Sequence, residues 1–82
     1  MRITDKIEHT AISFAEVSVE RKRQRKKWGE QTHSPEKWLT ILLEEVGEVA
    51  NALLEDDMEG FHKELIEVAA VAVAIAGGQK IK

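Results

Sequence analysis

Ser34-Pro35-Glu36-Lys37-Trp38-Leu39-Thr40-Ile41-Leu42-Leu43-Glu44-Glu45-Val46-Gly47-Glu48-Val49-Ala50-Asn51-Ala52-Leu53-Leu54-Glu55 reads as one helix from its first residue. A hydroxyl precedes a proline, and an acid follows in the first turn. That is the signature of an N-cap, the N1 position and a side chain favoured by the positive end of the helix dipole. The spacing predicts a helix over 35–55, a connection at 56–60 and a further helix over 61–76, with Gly77-Gly78 as its stop. A connection that short folds the two helices back as an antiparallel hairpin. Upstream, Ile3, Ile7, Ala11, Phe14 and Val17 recur at steps of three and four. This predicts a first helix over 3–27, closed by Gly29. No strand-like alternation persists, so the fold class is all-α: a helical hairpin plus an N-terminal helix.

The 82 residues make a single domain spanning 1–82. A chain of this size builds only a small core, and with no cysteine it has neither disulfides nor thiolate metal sites to reinforce it. A partner subunit is the remaining route to stability. The run Val68-Ala69-Ala70-Val71-Ala72-Val73-Ala74-Ile75-Ala76 is apolar all round, and two neighbouring helices leave one flank of it open. The expectation is a homodimer or homotetramer completed as a four-helix-bundle-type oligomer. That same run is too short to span a bilayer, and Met1 to Thr10 has no apolar signal-peptide core. A cytoplasmic protein without membrane contact is therefore expected.

The net charge of −3 conceals two opposed blocks. Arg21, Lys22, Arg23, Arg25, Lys26 and Lys27 crowd the end of the first helix, where cations are favoured by the helix dipole. Nine of the 15 acids fall between Glu44 and Glu67. Glu45 falls on the apolar face of its helix, between Ala52 and Trp38, and Glu48 lies at the edge of that face. From Leu65 to Ala76 every residue but Glu67 is apolar, and Glu64 is crowded by Val71, Ile75, Val68 and Phe61. In an antiparallel hairpin, residues at one level share an index sum. Glu48 with Glu64 and Glu45 with Glu67 have the same one. Four carboxylates therefore converge in apolar surroundings, which requires protonation or a neutralising cation. Oxygen donors of this kind suit a hard divalent ion, Mg²⁺ or Mn²⁺.

Glu44-Glu45-Val46-Gly47-Glu48 followed by Glu64-Leu65-Ile66-Glu67 resembles the EExxE…ExxD signature of the MazG-like, all-α nucleoside triphosphate pyrophosphohydrolases. Lys27-Trp28-Gly29 and His33-Ser34-Pro35 resemble the lead-in of the small phage and bacterial members. The resemblance covers about two-thirds of the chain, from Arg21 to Ala76, and departs from the pattern at Glu67, where the family usually has aspartate. It implies Mg²⁺-dependent hydrolysis of a nucleoside or deoxynucleoside triphosphate to the monophosphate and pyrophosphate. It also implies metal ligation by Glu45, Glu48, Glu64 and Glu67, with Glu44 or Glu45 serving the attacking water. Assembly into dimers or tetramers is implied as well.

Lys27 is the foremost candidate for the phosphate charge, with Arg21 and Gln24 on the same helix end. Trp28 and His33 are candidates to contact the base, and Trp38 is a candidate shared with the core. Three other readings compete. A MazG-like protein could bind nucleotide with little turnover, given Glu67. The run Arg21 to Lys27 could serve a nucleic-acid-binding module, although a pI near 5.6 counts against it. A di-iron bundle would use Glu-x-x-His pairs, and Glu30-Gln31-Thr32-His33 and Glu59-Gly60-Phe61-His62 have that spacing but fall in or against the expected loops.

Overall fold

The computed structural model describes residues 6–80 and contains three helices in chain order: α1 (Ile7–Trp28), α2 (Pro35–Leu54) and α3 (Met58–Lys80). No strand occurs among the described residues, so the all-α class holds. The expected start of α1 at Ile3 lies outside the described residues. Its end falls at Trp28, where Gly29 takes φ +71° and donates its N–H to the Arg25 carbonyl at 2.7 Å. That left-handed backbone is open to glycine at little cost, which fixes the stop.

α2 begins as its sequence dictates. The Ser34 hydroxyl accepts the Lys37 N–H at 3.2 Å, and Pro35 opens the first turn. At the other boundary two expectations fail. α3 starts at Met58 rather than 61, because Asp57 caps it: its Oδ1 accepts the Gly60 N–H at 2.9 Å. The whole reversal is made by Glu55, Asp56 and Asp57, with Asp56 at φ +56°, a conformation aspartate tolerates better than most side chains. α3 also continues through Gly77-Gly78 to Lys80. A glycine stops a helix by turning left-handed, and neither glycine there has a positive φ.

α3 is the central element. It packs antiparallel to α2 and parallel to α1, and α1 and α2 make no close backbone approach to each other. Two cross-helix pairs fix the parallel register: His62 Nε2 lies 2.7 Å from Glu16 Oε2, and Arg23 Nη2 lies 3.8 Å from Glu67 Oε1. The buried core is small, consisting of Ala52, Ala70 and Val71 with the amide side chain of Gln24. No described helix is long and apolar enough to cross a membrane.

Candidate metal centre and the cavity beside it

The divergence of α1 and α2 leaves space above α3, and the hairpin register decides what fills it. Glu45 and Glu48 project from α2, and Glu64 and Glu67 from α3. Each of the four offers an oxygen lying within 4.8 Å of the others. Glu48 is exposed, and the other three are partly buried. Glu45 Oε2 and Glu64 Oε2 are shut away from solvent with no hydrogen-bond partner. Leaving buried acceptors unmatched is costly, and for ionised ones more so. The protonation equilibria register this cost. Burial, followed by the repulsion of Glu48 and Glu67, raises the Glu45 carboxyl above the ordinary range. Burial first, and then the nearby carboxylates of Glu67 and Glu48, push Glu64 up to about 7. Four oxygens at this separation, two of them unmatched, are a donor set that a hard divalent cation could take up.

α1 adds two residues that hairpin geometry alone does not disclose. Glu20 holds Arg23 through two parallel hydrogen bonds of 2.7 Å, from Nε and Nη2. The same Nη2 faces Glu67, so a cation stands beside the carboxylate cluster. The hydrogen bond from Arg23 lowers the Glu20 carboxyl below the ordinary range against the opposing effect of burial. Glu20-x-x-Arg23 is a helical ion-pair spacing visible in the sequence, but its place in the parallel packing of α1 on α3 is not.

A cavity of about 760 Å³ adjoins the cluster through Glu45. Arg21, Gln24, Arg25 and Trp28 of α1 line one side, Gly29 to His33 its end, and Pro35, Trp38, Ile41 and Glu45 of α2 the other side. Val71, Val73, Ala74 and Ile75 of α3 contribute its apolar floor. Gln24, only 4% exposed, accepts from Arg21 Nη1 at 3.1 Å. The His33 and Trp38 rings meet edge to face at 4.7 Å, and His33 Nε2 lies 3.1 Å from Gln31 Oε1.

Of the substrate-contact candidates, Arg21, Gln24, Trp28, His33 and Trp38 are thus brought to one cavity, and Arg25 joins them. Lys27 is not in its lining. The Lys27 ammonium sits over the Trp28 ring at 5.1 Å. Glu44 is exposed and outside the group of four. Of the Glu-x-x-His pairs, Glu59 lies in the first turn of α3 rather than in the connection, and His62 lies on α3 as expected. His62 is held by Glu16, and no histidine joins the carboxylates. Comparison with protein-family models, with curated proteins and with solved structures finds no match to this chain.

Proposed function

We propose that the chain is a Mg²⁺-dependent nucleoside or deoxynucleoside triphosphate pyrophosphohydrolase of MazG-like type. The observation that carries this reading is the meeting of Glu45, Glu48, Glu64 and Glu67, with two buried oxygens lacking partners, at the edge of an aromatic- and arginine-lined cavity. These four side chains would hold Mg²⁺, with Mn²⁺ as a substitute. Glu67 supplies the same oxygen chemistry as the aspartate usual in such signatures. Bound there, the ion would neutralise charge on the phosphate oxygens and acidify a water.

The remaining work falls to the chain itself. Arg21 and Arg25 face the cavity with charges that offset those of a triphosphate. Trp28, 49% exposed at the cavity rim, would stack a base where Lys27 and Arg23 now lie over its ring, with His33 at the cavity's end and Trp38 on the other side. Glu45 belongs to both the cluster and the cavity lining, and it would accept a proton from the attacking water, with Glu44 as a more solvated alternative. The water oxygen bonds to the α-phosphorus, the bond from that phosphorus to the bridging oxygen breaks, and pyrophosphate leaves. Release of pyrophosphate from one or more triphosphates in a Mg²⁺-containing panel is the expected result. A panel of common and modified triphosphates left intact defeats the reading.

The proposed assembly is a homo-oligomer, at least a dimer. On α2, Leu39, Leu43, Val46, Ala50 and Leu53 recur at alternating steps of four and three, and all are exposed. Leu65, Ala69, Ala72 and Ala76 repeat the spacing on α3, exposed except for the half-buried Ala69. This is the seam of packed antiparallel helices, and a second hairpin laid on both would complete a four-helix core. A Leu43→Glu substitution is expected to halve the particle mass in light scattering or to unfold the protein. A wild-type chain that scatters as a folded 9.3 kDa monomer contradicts the assembly.

A further inference from the structure

We infer that Arg23 serves the proposed metal site in two ways: as the counter-ion of Glu67 while no metal is bound, and as a ligand for the phosphate chain once metal and triphosphate arrive together. The inference rests on the pyrophosphohydrolase reading. Three features of the arginine carry it. Its hold on Glu20 is tight and two-pronged, at 2.7 Å each, so the guanidinium is anchored in place on α1. Its contact with Glu67 is long, 3.8 Å, and uses an Nη2 already bonded to Glu20, so that contact is the exchangeable one. Nη1 makes no hydrogen bond among the described residues, the guanidinium lies 6.0 Å from the centre of the Trp28 ring, and the side chain is 48% exposed, which leaves donor capacity beside the carboxylates.

The charges give the direction of each effect. A guanidinium facing Glu67 opposes a dication held by the same carboxylate, and Coulomb repulsion scales with the full double charge. With metal bound to Glu67, the weak arm to that oxygen is released, and a polyphosphate on the metal presents the oxygens that an arginine fork fits. Glu20 sets the balance: neutralising it removes the anchor and lets Arg23 settle fully on Glu67.

Calorimetric titration of the full chain tests this with two probes, Mn²⁺ alone and Mn²⁺ with inorganic tripolyphosphate, which carries no base. Arg23→Gln is expected to bind Mn²⁺ about fivefold tighter and the Mn²⁺–tripolyphosphate complex about fivefold weaker than wild type. Glu20→Gln is expected to weaken Mn²⁺ binding by a similar factor, and Arg23→Lys to restore wild-type Mn²⁺ affinity without restoring tripolyphosphate binding. A merely structural arginine would move both affinities the same way or move neither, and either outcome overturns the inference. Metal binding by wild type with no opposed shift in Arg23→Gln leaves the hydrolase reading standing and removes this one. Failure of wild type to bind Mn²⁺ removes both.

Discussion

Replacing Glu64 by glutamine is expected to abolish Mg²⁺-dependent hydrolysis while making the metal-free protein more stable at neutral pH. The substitution keeps volume and removes a charge. A lost metal ligand is expected to cost more than the roughly 10- to 100-fold typical of losing a residue that only orients one. In the absence of metal the sign reverses. Glu64 Oε2 is buried without a partner, and its carboxyl titrates near 7 rather than in the ordinary range near 4.5. A folded-state value raised in this way means that the native state holds the proton more firmly than the unfolded chain does. The resulting stability is fully present below about pH 4.5 and is lost as pH rises through about 7. Discounted for partial solvation, the effect is on the order of 1 kcal/mol, or roughly 4–8 °C in Tm. Metal-free wild type should therefore melt lower at pH 8 than at pH 5, and Glu64→Gln should flatten that dependence. Glu48→Gln should lose activity equally but change stability less, because Glu48 is exposed. Near wild-type turnover in either variant removes that residue from the metal site.

Addition of Mg²⁺ or Mn²⁺ is expected to raise Tm by roughly 10–20 °C at a concentration about a hundredfold above Kd. A ligand that binds only the folded state contributes about 2.7 kcal/mol at that excess. A domain of this size gains roughly 4–8 °C for each kcal/mol. The small core of Ala52, Ala70 and Val71 makes the protein responsive to such a gain. Binding must displace the proton that Glu64 holds up to about pH 7, so the metal-induced shift should be larger at pH 8 than at pH 6. Differential scanning fluorimetry across that range measures it. A melting curve indifferent to millimolar metal at pH 8 indicates that the carboxylates do not form a metal site.

The sequence disclosed the parts of this arrangement that depend on local chemistry and on one hairpin. Ser34-Pro35-Glu36 announces α2 because its capping is local, and Gly29 stops α1 for the same reason. The carboxylate meeting was legible because a tight antiparallel hairpin converts chain position into height. Asp57 was hidden in an acidic run in which Asp56 and Asp57 are chemically alike; only the backbone distinguishes the turn residue at positive φ from the cap. Gly77-Gly78 misled for a related reason: glycine permits a left-handed stop without compelling one. Arg23 was beyond sequence reasoning, because its approach to Glu67 depends on the long-range parallel docking of α1 on α3. Lys27 lies outside the cavity lining with its ammonium over the adjoining Trp28 ring, a contact between neighbours that helical-face arguments do not weigh.

Hydrolysis of a triphosphate in ¹⁸O-labelled water, followed by ³¹P NMR, reports both the bond broken and the phosphorus attacked. With Mg²⁺ present, one nucleoside monophosphate is expected for each pyrophosphate, with the label in the monophosphate and none in the pyrophosphate. Label in pyrophosphate, release of single phosphate, or no turnover of any triphosphate would contradict the pyrophosphohydrolase reading.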